Sequence, residues 1–276
     1  MTAPDVISTS DGRTLAFSHW GPADGSPVFF LHGTPGGRLL RHVGGEYERT
    51  GVRAITYDRP GYGGSDRLVG RAVVHAAADI AAIADHLGLT RFAVIGVSGG
   101  GPHALAAAAV LADRVTRCAT VVGLAPFDAP DLDFFAGMGP ETAEEWRELR
   151  QGGEEFAVGP VYAENLEGAN SIEQMTSLPE SIRTMLTEAV LDALTPGPYG
   201  LADDLASWFL PWGFDVADVR CETTVMIGKD DADVPRGHGL WIAEHVPLAA
   251  VVEVDGDHFG PRVEAEEELL RWAVTE

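Results

Sequence analysis

Short apolar runs and longer alanine-rich runs alternate along most of this chain. The short runs are mostly β-branched, aromatic or aliphatic, which is typical of strands buried on both faces of a sheet. They are PVFFL, RAITYD, RFAVIGV, RVTRCATVVGLA, ETTVMIG and AVVEVD. The runs between them predict helices, at residues 38–49, 71–88, 101–113, 237–246 and 263–274. This order predicts an α/β fold with a mostly parallel sheet and helices on both of its faces.

The alternation stops over residues 126–212, where glycines, prolines and short helical segments follow one another. We therefore predict a core of residues 1–125 and 213–276, interrupted by a helical cap of residues 126–212. The cap is expected to roof a pocket with a few of its large apolar side chains, while the others pack within it. These side chains are Phe134, Phe135, Met138, Trp146, Met175, Met185, Trp208, Phe209 and Trp212.

A serine stands between glycines in GVSGG, where a predicted strand meets a predicted helix. A loop of small residues would look similar. A sharp strand-to-helix turn also needs small residues, because its strained backbone crowds the neighbouring positions. Such a turn lifts the serine hydroxyl above the sheet at a helix N-terminus, which favours developing negative charge. We therefore predict that Ser98 is a nucleophile.

Two later loops supply the base and the orienting acid that a nucleophilic serine needs. The strand ETTVMIG opens into KDDADVP, which contains three aspartates, and AVVEVD leads into GDHFGP. The second loop places His258 at the carboxyl edge of the sheet, where ligands bind in open α/β folds. The order serine, aspartate, histidine matches that of enzymes with this serine turn, so His258 is the predicted base.

The loop HGTPGG follows the strand PVFFL. Acyl transfer creates an oxyanion that backbone N–H groups must stabilise. The N–H groups of Gly99 and Thr34 are predicted to form this oxyanion hole, because Pro35 has no N–H to donate. An ordinary turn is the alternative interpretation of the loop. His32 is expected to hold the loop in place through hydrogen bonds.

Five segments together carry a resemblance to a known family: HGTPGG, YDRPGYGGSD, GVSGGG, GKDDADVP and GDHFG. The chain resembles cap-bearing, cofactor-free serine hydrolases of the α/β-hydrolase superfamily, in the esterase and proline iminopeptidase-like branch. The family pattern G-x-x-D-x-x-V-P implies that Asp231 is the catalytic acid. Asp230 and Asp233 are neighbouring candidates, and Asp128 is a weaker one.

The segment YDRPGYGGSD resembles the loop D-x-R-G-x-G-x-S of the same family. The resemblance implies a structural role for Asp58 and Arg59, which would brace the loop by pairing with the backbone or with each other. They are not expected to take part in catalysis.

Differences from particular members of the superfamily reduce the number of reactions that the chain is expected to catalyse. Ser98 stands where epoxide hydrolases and haloalkane dehalogenases have aspartate, and Phe259 stands where hydroxynitrile lyases have lysine. Gly99 replaces the methionine usual in perhydrolases. The resemblance implies a serine hydrolase that cleaves a small or medium carboxylic ester or lactone through an acyl-enzyme. A proline iminopeptidase-like aminopeptidase, a carbon–carbon bond hydrolase, a perhydrolase and a non-catalytic small-molecule receptor are the alternatives.

Acidic residues dominate the charge, with 42 Asp and Glu against 19 Lys and Arg and a net charge of −23. This disfavours nucleic acid and anionic membranes as partners, since both require clustered positive charge. Cys118 and Cys221 match no metal-binding spacing and are expected to be buried thiols in a reducing compartment. With neither a signal peptide nor a membrane span predicted, we expect a cytoplasmic enzyme of small-molecule substrates, without metal or cofactor. The oligomeric state is left open.

Overall fold

The computed structural model describes residues 4–172, 179–260 and 265–275. At its centre is one eight-stranded sheet in the order β1-β2-β4-β3-β5-β6-β7-β8. The strands are β1 (Asp5–Ser8), β2 (Thr14–Trp20), β3 (Ser26–Leu31), β4 (Val52–Tyr57), β5 (Phe92–Val97), β6 (Val115–Val121), β7 (Glu222–Gly228) and β8 (Ala249–Val254). β2 pairs antiparallel with β1 and β4, and the remaining neighbours are parallel. The prediction of a mostly parallel sheet is confirmed.

Helices cover both faces of this sheet, and further helices lie in the stretch between β6 and β7. They are α1 (Glu46–Thr50), α2 (His75–His86), α3 (Gly101–Val110), α4 (Pro140–Phe156), α5 (Tyr162–Ile172), α6 (Glu180–Leu194), α7 (Tyr199–Trp208), α8 (Arg236–His245) and α9 (Glu266–Ala273). Successive side chains of β3 point to opposite faces. Phe29 and Leu31 pack with α2, α3 and α8, whereas Val28 and Phe30 pack with α1 and α9. None of the described helices has the length and apolar character needed to cross a membrane.

The structure departs from the prediction at two places near the start of the chain. The predicted helix over residues 38–49 is wrong, because only Glu46–Thr50 is helical. Gly45 precedes that helix with φ 82°, a left-handed conformation that interrupts a right-handed helix. The backbone N–H of Arg38 donates to Asp58 Oδ1 at 2.7 Å, so residue 38 belongs to a bracing loop. The edge strand β1 has no counterpart in the prediction, because Ile7 alone among its four residues is buried.

The stretch of residues 126–212, here called the insertion, lies between β6 and β7 and contains α4–α7. Gly153 bends α4, with φ 56° and ψ −140°. The apolar side chains of the insertion cluster with Tyr62, Leu124 and Val234, which lie outside it. This shared packing accords with an element built onto the core. The division into core and cap at residues 126 and 212 stays a prediction.

The aromatic side chains of the insertion do not all serve the predicted roof. Phe134 and Trp208 are buried, and Trp146 stacks on Trp208 with ring centroids 5.0 Å apart. Trp212 is one of the large apolar side chains of the predicted cap, but it packs in the core cluster that contains α2 and α3, and it stacks on Phe214. Met175 lies outside the described residues.

Candidate active site

Ser98 lies at a sharp turn between β5 and α3. Its φ of 51° places a non-glycine residue in the left-handed region, a strained conformation often found at functional turns. A methyl group on Gly96 would overlap the carbonyl oxygen of Gly100, and a methyl group on Gly100 would overlap that of Leu31. Close backbone approach therefore explains why these positions are glycine, which is the reason proposed from the motif.

His258 connects Ser98 to Asp231, and these three residues are here called the relay. Nε2 of His258 lies 3.0 Å from Ser98 Oγ, and Nδ1 lies 2.8 Å from Asp231 Oδ2. In the neutral tautomer that fits both contacts, Nδ1–H donates to the carboxylate and Nε2 accepts from the hydroxyl. Loops after three separate strands thus bring together the residues assigned from the sequence as nucleophile, base and acid.

The loop after β7 fixes the carboxylate of Asp231. Its Oδ1 accepts hydrogen bonds from the backbone N–H groups of Asp233 and Val234, both at 2.9 Å, while Oδ2 faces His258. The competing acids Asp230 and Asp128 are exposed side chains, as is Asp233. The geometry therefore favours Asp231 among the four candidates, in agreement with the choice made by the family pattern.

Asp231, Asp233 and His258 also offer oxygen or nitrogen atoms within 4.8 Å of one another. Both oxygens of Asp231 and both ring nitrogens of His258 are already hydrogen-bonded within the protein. A cation bound by these three groups would have to break the relay. The prediction of a site without metal stays a prediction, and no catalytic step is assigned to a cation.

The loop after β3 lies directly against the serine turn. A methyl group on Gly99 would overlap Thr34 Oγ1 and lie 3.0 Å from Thr34 Cβ, and one on Gly33 would lie 3.5 Å from Ser98 Cβ. Gly99 and Thr34 are therefore adjacent to each other and to the nucleophile, where the predicted oxyanion hole requires them. Their role as N–H donors stays a prediction.

A buried cluster of charges holds Thr34 from behind. Oδ2 of Asp204, on α7, accepts from Thr34 Oγ1 at 2.8 Å, from Tyr62 Oη at 3.0 Å and from Arg59 Nη2 at 2.5 Å. Its Oδ1 pairs with Arg71 Nη2 at 2.5 Å. Burial alone would raise the pKa of Asp204, but Arg59 and Arg71 hold it well below its usual value. The carboxylate is therefore ionised and ties the insertion to the predicted oxyanion loop.

Asp58 and Arg59 brace their loop, but they do not pair with each other. Asp58 accepts from the backbone N–H groups of Arg38 at 2.7 Å and Gly64 at 2.9 Å, and it pairs with the Arg38 guanidinium. Arg59 donates to the carbonyl oxygen of His32 at 2.5 Å and pairs with Asp204. Backbone pairing is thus confirmed, and the expected pairing of Asp58 with Arg59 is replaced by two separate ion pairs.

His32 has the structural role expected of it. Its Nδ1 lies 2.7 Å from the carbonyl oxygen of Gly33, and its Nε2 accepts from the Arg59 backbone N–H at 3.4 Å. Burial and the nearby Arg59 cation lower the pKa of His32 well below its usual value. The ring is therefore neutral, which suits one donating and one accepting nitrogen.

Three further residues lie near the site, and of these only Trp208 is expected from the sequence, as one of the large apolar side chains of the predicted cap. Asp204 closes the charge cluster, Trp208 lies against Gly99, and Nδ1 of His103 is 2.8 Å from the carbonyl oxygen of Gly99. Burial lowers the pKa of His103 to about 3, so the ring is neutral. An acid within the otherwise apolar helix YGLADDLASW was the available signal for Asp204.

Comparison with known proteins places this geometry in a family. The family model for the alpha/beta hydrolase fold matches residues 26–261. A non-heme chloroperoxidase from Streptomyces lividans is 33% identical in an alignment 177 residues long that covers 59% of this chain and 62% of that protein. A bifunctional esterase/perhydrolase from Acinetobacter calcoaceticus is 27% identical in an alignment 281 residues long, gaps included, that covers 94% of this chain and 95% of the relative.

A solved structure extends the likeness to the whole fold. The bromoperoxidase from Bacillus anthracis aligns with a TM-score of 0.75 at 20% identity, covering 99% of this chain and all of that one. The family match spans most of the residues that form the sheet and all of the relay. The chain therefore belongs to the α/β-hydrolase fold family and is an enzyme of that family.

Proposed function

We propose that this enzyme hydrolyses small or medium carboxylic esters or lactones through an acyl-enzyme on Ser98. The observation that carries the proposal is the relay, in which a hydroxyl, an imidazole and a buried carboxylate are joined by contacts of 3.0 and 2.8 Å. A serine hydroxyl is a weak nucleophile until an oriented base accepts its proton. The relay supplies that base and its orienting acid together.

The proposed reaction has two halves. Ser98 Oγ attacks the ester carbonyl while Nε2 of His258 takes its proton, and the N–H groups of Gly99 and Thr34 stabilise the oxyanion. His258 then protonates the leaving alcohol as the carbonyl–alcohol bond breaks, which leaves an acyl-serine. A water molecule, deprotonated by His258, attacks the acyl group, and the proton returns to Ser98 as the acid is released.

The surroundings of Ser98 support an apolar substrate of limited size. Trp208 packs beside Gly99 and Trp146 stacks on it, while Phe134 and Phe209 contact Trp146 within the same apolar cluster. Apolar walls with a few placed polar groups are typical of small-molecule sites. The named activity of the esterase/perhydrolase relative supports an acyl-enzyme as well. Perhydrolysis would differ only in that hydrogen peroxide, instead of water, resolves the acyl group.

The proposal is tested by kcat/KM on p-nitrophenyl esters of increasing acyl length, beside proline p-nitroanilide. Short and medium esters are expected to react fastest, and a fluorophosphonate is expected to label Ser98. The Ser98→Ala variant is the control and should lose both turnover and labelling. Ester turnover that survives in this variant contradicts the mechanism.

A substrate with a free amine is the second candidate, and Glu145 on α4 is the observation that favours it. Burial and the neighbouring carboxylates of Glu164, Asp233 and Glu148 raise the pKa of Glu145. Asp233 lies near His258, so this acidic group extends toward the relay. A bound ammonium would relieve the repulsion, as an aminopeptidase requires. Preference for proline p-nitroanilide over every ester, lost in Glu145→Gln, would establish this alternative.

A further inference from the structure

The indole N–H of Trp208 is a buried donor with no acceptor. The side chain is 5% exposed, and Nε1 has no hydrogen-bond partner among the residues that the structure describes. Buried N–H groups in native proteins almost always have a partner, so each exception needs an explanation. A functional explanation applies where the unpaired donor faces a place that a ligand enters.

The six-membered ring of Trp208 lies against the candidate active site at Gly99. A methyl group on Gly99 would lie 2.9 Å from Trp208 Cζ2. Cζ2 is bonded to the ring carbon that carries Nε1, so the two atoms share one edge of the indole. Thr34 lies against the same point of Gly99. The unpaired donor thus stands beside the two residues of the predicted oxyanion hole.

Neighbouring contacts hold this edge in place. Trp146, on α4, stacks on Trp208 with its ring inclined 27° to the indole ring. Helix α7, which carries Trp208, is anchored to the core through Asp204, one helical turn earlier. A donor that cannot turn away is suited to select a substrate group by position.

A buried indole without an acceptor is not by itself a site, as Trp212 demonstrates. Nε1 of Trp212 is likewise unpaired among the described residues. Its ring stacks on Phe214 within the core cluster, so packing accounts for its position. Contact with Gly99, the residue after the nucleophile, distinguishes Trp208 and provides a matched control.

We propose that Trp208 Nε1–H donates a hydrogen bond to an oxygen in the acyl half of the substrate. This rests on the proposed ester hydrolysis and names its substrate class, acyl groups that carry an ether, hydroxyl or keto oxygen near the scissile carbonyl. The leaving oxygen must approach His258 to be protonated, so the alcohol half lies on the His258 side. Trp208 lies against Gly99 instead and is assigned to the acyl half.

The test uses two esters that differ in one atom. p-Nitrophenyl methoxyacetate has an ether oxygen where p-nitrophenyl butyrate has a methylene, and the leaving group is the same. The measured quantity is the ratio of kcat/KM for methoxyacetate to that for butyrate, in the wild type, Trp208→Phe and Trp212→Phe. The concentration of active enzyme cancels from this ratio, so partial misfolding of a variant does not alter it.

Trp208→Phe is expected to lower the ratio by about five- to tenfold, the effect of losing one neutral hydrogen bond. Trp212→Phe should leave the ratio within about twofold of the wild type. Equal losses on both esters in Trp208→Phe would reduce Trp208 to a packing role and overturn the inference. Ester turnover that depends on Ser98 would still support the proposed function in that case, so the two failures are distinguishable.

Discussion

Replacing Asp204 with asparagine is expected to destabilise the protein by about 3–5 kcal/mol. Asparagine keeps the shape of the side chain but removes its charge, which takes from the buried cations Arg59 and Arg71 the carboxylate that both of them pair with. The side chains of Asp204, Arg59 and Arg71 are 0%, 1% and 2% exposed, so water cannot replace the lost carboxylate. Removing one charged partner from a buried ion cluster therefore greatly lowers the free energy of unfolding.

The expected loss is large beside the total stability of a typical domain, about 5–15 kcal/mol. The asparagine amide oxygen can still accept one of the hydrogen bonds that Thr34 and Tyr62 now donate, which favours the lower end of the range. The Thr34 side chain would lose its fixed anchor, so kcat is also expected to fall in the folded fraction.

Urea unfolding measures the stability change, and the neighbouring acid supplies the control. Asp203 pairs with Arg67 at 2.8 Å, but the Arg67 side chain is 25% exposed and solvent screens the pair. Asp203→Asn is therefore expected to cost no more than about 1 kcal/mol. If Asp204→Asn is no more destabilising than Asp203→Asn, the charge cluster does not anchor α7 to the core, and the reasoning fails.

Asp231→Asn is expected to lower kcat by about 10²–10⁴, because the amide would misorient and weaken His258. Asp233→Asn should lower it by less than about tenfold, and steady-state kinetics that gave both variants equal losses would contradict the choice of acid. His103 alone is expected to lower the stability as the pH drops below about 6.5, by up to about 1.4 kcal/mol per pH unit. The unfolded His103 binds a proton in that range, whereas burial lowers the pKa of the folded side chain to about 3. Urea unfolding between about pH 7 and pH 5 measures this slope, and an unchanged slope in His103→Gln would refute the assignment.

The sheet and the relay were predictable because local patterns specify them. Each buried strand is an apolar run, and Ser98 and Asp231 follow such strands, β5 and β7. His258 follows the edge strand β8, which is also rich in apolar residues although most of them are exposed. The spacing G-x-S-x-G reflects close backbone contacts at Gly96 and Gly100, which few other residues could satisfy. Local requirements of this kind can be recognised in a single sequence, because they restrict which residue types are allowed at fixed spacings.

Side-chain pairings between residues far apart in the chain could not be predicted from the sequence in this way. Arg59 and Asp204 are 145 positions apart and meet only when α7 packs against the predicted oxyanion loop. Asp58 and Arg59 are adjacent in sequence, so mutual pairing was a natural expectation, but their side chains reach separate partners. The helix predicted over residues 38–49 failed for a similar reason, since the bond from Arg38 to Asp58 fixes a loop there.

Asp204 and Trp208 lie four residues apart on α7, which places both side chains on the same face of the helix. One contacts Thr34 and the other contacts Gly99, the two residues predicted to hold the oxyanion. The relay, by contrast, comes entirely from loops of the sheet. The proposed mechanism and the proposed choice of acyl group are therefore assigned to different parts of the chain. Substitutions on α7 are expected to change which acyl group is accepted while the geometry of Ser98, His258 and Asp231 stays the same.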